Sequence, residues 1–378
     1  MHKNALNKVA LFIDNAVNRR HYIQLIALKN AGFDTKLIIF KDTKIDYLIF
    51  KGLKDIYLFL DYNRQEAVKK FSFKCALNLL ELINKENISI ILTQRWKVLK
   101  YLIFCKFFKK NLKIILYIVA AGTFRTIGRQ ILFKLFKANV NKILVNSADL
   151  KEELLAQKLT IGKEIDILHS AIDPSEFEIP ISQKEARKKI GVTENDFIFG
   201  MVARFSKEKD QQTLIYAFKN FLDTGNKSKL VFIGDGPTKK TCEELTKKLG
   251  IDKEVIFTGR VDLMQIPIVL RAFDVFVHIT LQEGMPMAVH EAMAASLPII
   301  ATDAEGVPEI FDTSLTIGYL VPKKNIEELT KALLKIYSLS PEERKIMGEN
   351  ARMRLNEAFS LEQLTQKTVK IFNDLLNG

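Results

Sequence analysis

Short apolar segments alternate with amphipathic segments along almost the whole chain. The apolar segments, such as residues 9–13, 142–146 and 275–279, have the length of buried strands. The segments between them have helical spacing, and one of them stops at Gly32, a residue that favours a helix C-terminus. Strands that alternate with helices form a parallel sheet with helices on both faces. We therefore expect an α/β fold.

The alternation is interrupted near the middle of the chain. Residues 172–183 (IDPSEFEIPISQ) contain two prolines and fit neither pattern, so we interpret them as a linker. The strand–helix alternation then restarts at Phe197. A length of 378 residues also fits two domains. We expect two doubly wound, Rossmann-like domains, with ligand sites at the carboxyl ends of their strands.

The charge of the chain is unevenly distributed. Residues 1–180 carry 30 Lys and Arg against 17 Asp and Glu, whereas residues 181–378 carry 27 of each. Residues 87–148 hold 12 Lys and Arg, no acid, and many aromatic side chains. Such a segment fits an amphipathic helix on an anionic membrane surface, and it fits equally a buried helix with a Lys-rich solvent face. We expect no nucleic-acid partner, because no recognition motif accompanies the charge.

The cysteines and the apolar runs bear on the compartment. Cys75, Cys105 and Cys242 are scattered and odd in number, which indicates a reducing environment without a disulfide framework. The apolar run at 9–13 is too short for a secretory signal, and the run at 114–122 is about half a membrane span. We expect a cytoplasmic protein, and leave open a peripheral position on the inner face of the cell membrane.

Two predicted strand ends in the second half carry cations. Arg204 directly follows a strand, and Lys209 comes five residues later, just before a helix. A guanidinium and an ammonium placed together can contact several phosphate oxygens. Another strand ends at Gly259-Arg260, where the glycine would let the backbone approach a flat ligand. These loops predict a binding edge for a phosphorylated ligand.

The segment 274–310 is the richest in candidate chemistry. A strand is followed by the turn Glu283-Gly284, a short helix from about Pro286, and Glu291 within that helix. The free amides at a helix N-terminus favour an anion, and carboxylates accept hydrogen bonds from hydroxyl groups. Each glutamate alone would more often be a solvated charge at a helix end. Together with the neighbouring loops, they indicate a ligand site.

Four segments of the second half occur in a specific order, namely VARFSKEKDQQTLIYAF, LVFIGDGP, VIFTGRV and EGMPMAVHEAMAASLPIIATDAEGVPEI. They resemble the retaining, nucleotide-sugar-dependent glycosyltransferases of the GT-B fold, family 4, whose signature is a glutamate pair with seven residues between. The resemblance extends back to KILVNSADLKEEL and forward to FSLEQLTQKTVKIFNDLL. It implies an acceptor-binding domain (1–175), a nucleotide-sugar-binding domain (176–360), and a C-terminal helix (361–378) that crosses back to the first domain.

The resemblance implies a role for each cation and amide of the site. Arg204 and Lys209 would bind the diphosphate of the donor and stabilise the charge on the leaving nucleotide. The backbone amides around Gly284, Met285 and Met287 would assist them from the helix end. Cations can supply this stabilisation without a metal, so we expect no metal requirement.

The resemblance also implies roles for the carboxylates and the glycine loop. Glu291 would hold the ribose hydroxyls, and Glu283 would contact the hydroxyls of the transferred sugar. The Gly259-Arg260 loop would frame the base. Retention in this family is thought to need no enzymic nucleophile. The implied reaction moves a hexose from a UDP- or GDP-linked sugar to a glycan or lipid-linked acceptor, in cell-surface polysaccharide or lipopolysaccharide biosynthesis.

The first half departs from the family pattern at three places. Residues 15–19 (NAVNR) replace a glycine-glycine loop, residues 120–122 (AAG) replace a histidine, and residues 170–171 (SA) replace asparagine-glycine. These departures leave open a catalytically impaired relative that binds a nucleotide or a membrane surface. The GDGP turn at Gly234 leaves open a nicotinamide-dependent oxidoreductase, although a lone turn of this kind more often serves strand–helix packing.

Overall fold

The computed structural model describes residues 8–14, 17–43, 45, 56–94, 96–120, 122–124, 126–159 and 162–377. The chain divides into two compact units. One contains the described residues up to Ser170 together with those from Leu361 onward, and the other is Ala171–Ser360. Each unit is built on a parallel sheet, and the predicted α/β class is confirmed.

The sheet of the first unit has seven strands in the order β3-β2-β1-β4-β5-β6-β7, and every pair is parallel. The strands are β1 (Lys8–Ile13), β2 (Asp34–Phe40), β3 (Tyr57–Leu60), β4 (Ile90–Thr93), β5 (Lys113–Ile118), β6 (Lys142–Val145) and β7 (Ile165–Ile167). The central strands are buried almost completely, as the continuous apolar runs predict for a sheet covered on both faces.

Six helices connect these strands: α1 (Arg19–Asn30), α2 (Arg64–Lys69), α3 (Phe73–Lys85), α4 (Trp96–Phe108), α5 (Ile127–Phe136) and α6 (Ala148–Ala156). Helix α1 begins two residues before the predicted start, because Asn18 and His21 form a reciprocal cap at its N-terminus. Helix α2 was not predicted from the sequence. Its six residues are too few for a helical period to show, although Asn63 caps its first turn.

The sheet of the second unit has six parallel strands in the order β10-β9-β8-β11-β12-β13. They are β8 (Ile198–Val202), β9 (Lys229–Ile233), β10 (Val255–Gly259), β11 (Val275–His278), β12 (Ile299–Thr302) and β13 (Gly318–Val321). The strand order reverses beside β8, which pairs with β9 on one side and with β11 on the other. In open parallel sheets this switch point is where ligands bind.

The helices of the second unit are α7 (Gln183–Lys189), α8 (Gln211–Asp223), α9 (Lys239–Lys248), α10 (Ile266–Arg271), α11 (Met287–Ala294), α12 (Pro308–Phe311), α13 (Ile326–Ser338) and α14 (Pro341–Ala358). Helix α11, the helix of the glutamate pair, is almost entirely buried. It belongs to the same hydrophobic cluster as β11 and β12. This packing fixes the direction of its N-terminus.

The predicted linker is largely part of the second unit. The backbone amide of Ile172 donates to the carbonyl of Phe359 at 3.0 Å. Phe177, in a 3-10 turn over Pro174–Phe177, is buried in the second core. These contacts place the division of the chain at 170–171, five residues before the boundary at 175–176 that the sequence suggested.

The last helix, α15 (Leu361–Asn377), belongs to the first unit. It packs along α1, and the rings of Phe33 and Phe372 have centroids 5.2 Å apart. Lys367 Nζ lies 3.3 Å from His169 Nδ1. Among the described helices, none combines the length and the apolar character needed to cross a bilayer.

Candidate active site

The loops after β8 and β9 are joined by backbone contacts. The amide of Ala203 donates to the carbonyl of Ile233, and the amide of Phe205 donates to that of Asp235, each at 3.0 Å. Gly234 and Gly236 have φ values of +139° and +154°. A Cβ on either would lie 2.0–2.2 Å from a carbonyl oxygen of the β8 loop. Close packing of the two loops therefore accounts for this glycine pair, without a dinucleotide.

A pocket of about 700 Å³ opens at these strand ends. Its walls include apolar side chains of β8, β9 and the start of α10, and the side chains of Arg204 and Arg260 line it. Within the described part of the chain, neither arginine forms an ion pair. The pocket has the volume of a typical small-molecule site. Two guanidinium groups against one lining carboxylate, Asp235, make it suitable for an anionic ligand.

Gly259 ends β10 beside this pocket. Its φ is +78°, and no atom lies within 4 Å of the position that a Cβ would occupy. The register with β9 shifts between Phe257 and Gly259, and the amide of Gly234 donates to the Gly259 carbonyl at 2.8 Å. The structure thus places the predicted Gly259-Arg260 loop next to Arg204, with open space over the glycine.

Lys209 forms an ion pair with Glu283, although 74 residues separate them. Both side chains are about one-fifth exposed. The contact is held by the loop after β11, where Thr280 Oγ1 and the Leu281 amide donate to the carbonyl of Glu208 at 2.9 Å and 2.7 Å. The switch point of the sheet therefore joins a cation from the β8 loop to a carboxylate from the β11 loop.

His278, the last residue of β11, lies beside this ion pair and was not among the predicted site residues. Its side chain is 2% exposed, and its Nε2 is 3.7 Å from Oε2 of Glu283, longer than a normal hydrogen bond. Burial and the Lys209 ammonium lower the pKa of His278, so the ring is neutral at pH 7. The sequence signal was a polar residue ending an apolar strand, VFVH.

The carboxyl group of Glu283 is ionised over the whole physiological range. Burial, the largest influence on its pKa, favours the neutral acid, but His278 and Lys209 outweigh it and lower the pKa to about 2. Because the His278 contact is long for a hydrogen bond, we attribute most of this lowering to the Lys209 ammonium. Glu283 can therefore accept hydrogen bonds from a ligand, and it cannot donate a proton at pH 7.

Helix α11 begins with open backbone amides. Its N-cap is Pro286, whose side chain makes no capping hydrogen bond. The Val289 amide donates to the Pro286 carbonyl at 3.1 Å, so the amides of Met287 and Ala288 are the ones that suit an anion. The preceding residues Gly284 and Met285 are buried, and Met287 is the first residue of the helix. Glu291 lies one turn further on and is 7% exposed. A buried carboxylate on a short helix is an uncommon feature that points to a specific role.

The structure brings most of the predicted residues to one edge of one sheet. Arg204 and Arg260 line the same pocket, Lys209 contacts Glu283, and Glu291 follows on α11. Over the described ranges, no group of three or more His, Cys, Asp or Glu side chains has the geometry to hold a metal ion. The metal independence expected from the resemblance stays a prediction.

Comparison with known proteins assigns this edge to a family. Residues 182–354 match the family model described as "Glycosyl transferases group 1". The matched range covers slightly less than half of the chain and is similar to the group 1 glycosyl transferases. All nine predicted site residues, from Arg204 to Glu291, lie within the matched range, and the family expected from the sequence is confirmed.

Two curated relatives show how far the similarity extends. An uncharacterized glycosyltransferase of Methanocaldococcus jannaschii is 27% identical over 234 residues, which are 61% of this chain and 59% of that protein. The UDP-Gal:alpha-D-GlcNAc-diphosphoundecaprenol alpha-1,3-galactosyltransferase of Escherichia coli is 26% identical over 249 residues, which are 64% of this chain and 62% of that protein. The match thus spans about three-fifths of each relative.

A solved structure extends the comparison to the whole chain. The Anabaena protein HepE, determined in complex with UDP and glucose, superposes with a TM-score of 0.79 at 16% identity. The superposition covers 97% of this chain and 100% of HepE. The chain therefore has the GT-B fold that the sequence predicted, and the matched residues 182–354 lie in its second half.

Proposed function

We propose that this protein is a glycosyltransferase that moves a sugar from a nucleoside-diphosphate sugar to a glycan or lipid-linked acceptor. The observation that carries the proposal is the cation-lined edge of the second sheet. There, Arg204 and Arg260 line one pocket and Lys209 contacts Glu283. UDP bound to HepE supports a uridine nucleotide as the donor. On this proposal the second unit binds the donor and the first unit binds the acceptor.

The donor's diphosphate would lie against Arg204, Lys209 and the first-turn amides of α11. The glycosidic C1–O bond breaks, and its electron pair goes to the departing β-phosphate oxygen. The acceptor hydroxyl oxygen bonds to C1 and gives its proton to the departing phosphate. Positive groups fixed where this negative charge develops stabilise the transition state. We therefore expect activity without added divalent metal.

The two glutamates would position the donor. Because its low pKa keeps Glu283 ionised, this residue suits a hydrogen-bond acceptor for sugar hydroxyls and not a general acid. Glu291, buried on α11, would accept from the ribose hydroxyls. The Gly259-Arg260 loop would frame the base. In this scheme the acceptor attacks from the face of the leaving group, the anomeric configuration is retained, and neither carboxylate forms a covalent intermediate.

The acceptor would be a lipid-linked or cell-surface glycan, and the reaction would take place at the cytoplasmic face of the membrane. One relative, by its name, acts on a diphosphoundecaprenol-linked sugar. The 12 Lys and Arg of residues 87–148, without any acid, would suit such a surface. The product would enter polysaccharide or lipopolysaccharide synthesis.

A thermal-shift screen against UDP-, GDP- and ADP-sugars tests the donor assignment, because a ligand of the native state raises the midpoint of unfolding. One nucleotide sugar should raise the midpoint of the wild type. Arg204→Ala should abolish the shift, and Glu283→Ala should lose transfer activity. A protein that responds to none of these sugars, or an Arg204→Ala variant with an unchanged shift, would contradict the proposal.

A further inference from the structure

Helix α5 turns its apolar side chains toward solvent. The exposed fractions of Ile127, Ile131 and Leu135 are 74%, 54% and 67%, and Leu132 and Phe136 are 41% and 36% exposed. Phe133 is the one buried side chain described for this helix, and its ring packs on that of Phe124 with centroids 4.6 Å apart. A helix on a globular core normally turns its apolar stripe inward. The orientation of α5 is the reverse.

The exposed apolar stripe of α5 is continuous and is bordered by cations. Side chains four residues apart lie on one face of a helix, which aligns Ile127, Ile131 and Leu135. With about 100° of rotation per residue, this stripe faces away from the buried anchor Phe133. Leu132 and Phe136 widen this face to about half of the helix circumference, and Arg129 and Lys134 lie on the two borders of the widened face. The Arg129 guanidinium also donates to the carbonyl of Thr123 at 3.1 Å. The arrangement is an apolar face with a basic margin, directed outward.

The charges of the surrounding chain indicate what covers this face. Every charged residue in the segment 87–148 is a Lys or Arg. A second copy of the chain, packed on the same face, would bring these cations together and repel. An anionic bilayer surface offers both an apolar interior and the complementary charge. Exposed apolar patches of this kind mark interaction sites on soluble proteins.

We propose that α5 lies in the surface of an anionic lipid bilayer. Ile127, Ile131 and Leu135 enter the acyl-chain region, while Arg129 and Lys134 remain at the level of the phosphate headgroups. The proposal refines the membrane assignment of the proposed function to one helix. Elsewhere in the segment, Val98 and Tyr101 of α4 are buried in the first core, whereas Phe107 and Phe108 at the end of α4 are 78% and 60% exposed.

Vesicle flotation with the full-length protein tests this proposal. The triple variant Ile127→Ser/Ile131→Ser/Leu135→Ser changes only exposed positions and should keep the wild-type melting temperature. A matched control is Ile346→Ser/Met353→Ser on α14, where both side chains are 50% exposed. We expect the wild type and the control to float with vesicles that contain phosphatidylglycerol, and at least a tenfold loss of bound triple variant.

Three results would overturn the proposal. The wild type could stay with the soluble fraction at physiological salt, or the triple variant could float as the wild type does. Light scattering could show instead that α5 is covered in a dimer, which the triple variant would dissociate. The nucleotide-sugar thermal shift of the triple variant should equal that of the wild type, so failure to bind lipid is distinguishable from failure to bind the donor.

A direct readout of insertion is available from tryptophan fluorescence. The chain has a single tryptophan, Trp96, which sets the background. In a Leu135→Trp variant, lipids brominated on the acyl chains should quench the additional emission strongly. Equal quenching of the variant and the wild type would show that α5 does not enter the bilayer.

A second observation, in the other unit, concerns His278. The side chain is buried, and among the described residues neither ring nitrogen has a hydrogen-bond partner. Its Nε2 nevertheless lies 3.7 Å from the Glu283 carboxylate. Buried polar groups without partners are rare in native proteins and call for an explanation. We explain it by a state of the site in which the ion pair between Glu283 and Lys209 is broken.

We infer that His278 is a positioning residue for Glu283 in the donor complex. If the proposed function holds, the donor's diphosphate competes with Glu283 for the single ammonium of Lys209. When Lys209 binds the phosphate instead, the Glu283 carboxylate, which is about one-fifth exposed, still lies beside His278. A neutral imidazole with its proton on Nε2 then donates to Glu283 and holds the carboxylate toward the sugar hydroxyls.

Two substitutions separate this role from a structural one. His278→Phe keeps a ring on the same side as Phe276, whose centroid is 6.3 Å away, but it has no donor. His278→Gln keeps a donor near the position of Nε2. We expect His278→Phe to lose at least tenfold in kcat with an unchanged UDP dissociation constant and melting temperature. His278→Gln should recover most of that loss.

The inference is overturned if His278→Phe transfers sugar at the wild-type rate, or if His278→Gln is as impaired as His278→Phe. UDP lacks the transferred sugar that Glu283 would contact, so unchanged UDP binding by both variants shows that the donor pocket is intact. A wild type that shows no transfer with any sugar would count against the proposed function instead.

Discussion

Helices α11 and α5 have similar lengths and opposite relations to the core. Helix α11 (Met287–Ala294) is buried along most of its length, yet it carries the buried polar residues His290 and Glu291. Helix α5 (Ile127–Phe136) is exposed along most of its length, yet the exposed positions are apolar. In each helix the informative residues are those whose polarity does not match their burial: buried polar side chains on α11 and exposed apolar side chains on α5. We associate the first with a ligand and the second with a surface.

The largest predicted effect concerns the ion pair that adjoins α11. Lys209→Met should lower kcat/KM for sugar transfer by about 10²–10³, the usual loss when one preorganised group that stabilises transition-state charge is removed. Steady-state kinetics would measure it. Lys207→Met is the matched control, because Lys207 is exposed two residues away in the same 3-10 turn and should keep wild-type activity. Equal activity of the two variants would show that Lys209 does not contribute to transfer.

The next prediction contrasts the packing of α11 with that of α5. Met293 is fully buried in the second core. Met293→Ala should therefore lower the free energy of unfolding by about 2–5 kcal/mol, since the lost apolar contacts leave a cavity. Denaturant unfolding would measure the change. A change below about 1 kcal/mol would mean that α11 is not rigidly held, which would remove the basis for its role at the site.

The pH dependence of stability should report on His278. Because burial lowers its pKa in the folded protein, the unfolded chain binds the proton more tightly. The stabilising contribution of the neutral ring is present above the unfolded pKa of about 6.5 and is lost as pH falls below it. Below that pH the wild type should lose up to about 1.4 kcal/mol per pH unit more than His278→Phe. Lys209 and Glu283 face the ring in both proteins.

Denaturant unfolding of both proteins at several pH values between 7 and 5 would measure this difference, and parallel curves would contradict it. The ionisation of Glu283 should contribute no slope in that interval. Its folded pKa of about 2 lies below its ordinary value of 4.5, so its stabilisation declines only between those two pH values.

The smallest predicted effect belongs to α5. Ile131→Ser should change the free energy of unfolding by less than about 0.5 kcal/mol, because the side chain is more than half exposed and fills no cavity. The same substitution should reduce vesicle binding. A loss of several kcal/mol in denaturant unfolding would show instead that the apolar face of α5 is packed against protein.

The second fold unit was predictable from the sequence to within one or two residues at most strand ends. Its strands are continuous apolar runs, and runs such as LVFI lie between clear turn signals such as GDGP. Helix α2 escaped prediction because six residues do not establish a period. Residues 172–183, which the sequence indicates as a linker, lie within the second unit, and the two prolines gave no sign that Phe177 is buried.

The site was predictable in its parts but not in its contacts. Arg204, Lys209 and Glu283 each follow a strand, and that position alone marked them. Their pairing depends on which strands are neighbours, and the order β9-β8-β11 is a property of topology. His278 was missed because it completes an apolar strand. The sequence did not show that the apolar side of α5 points outward. Periodicity identifies an apolar side of a helix, but not whether that side contacts the core or the solvent.

The most direct test of the central claim is a calorimetric titration of UDP into the wild type and into Arg204→Met. If the cation-lined edge of the second sheet binds the donor's diphosphate, the wild type binds UDP, and the variant binds it at least tenfold more weakly, since a charge-assisted contact has been removed. Equal affinity of the two proteins, or no binding of UDP, GDP or ADP by the wild type, would contradict the account.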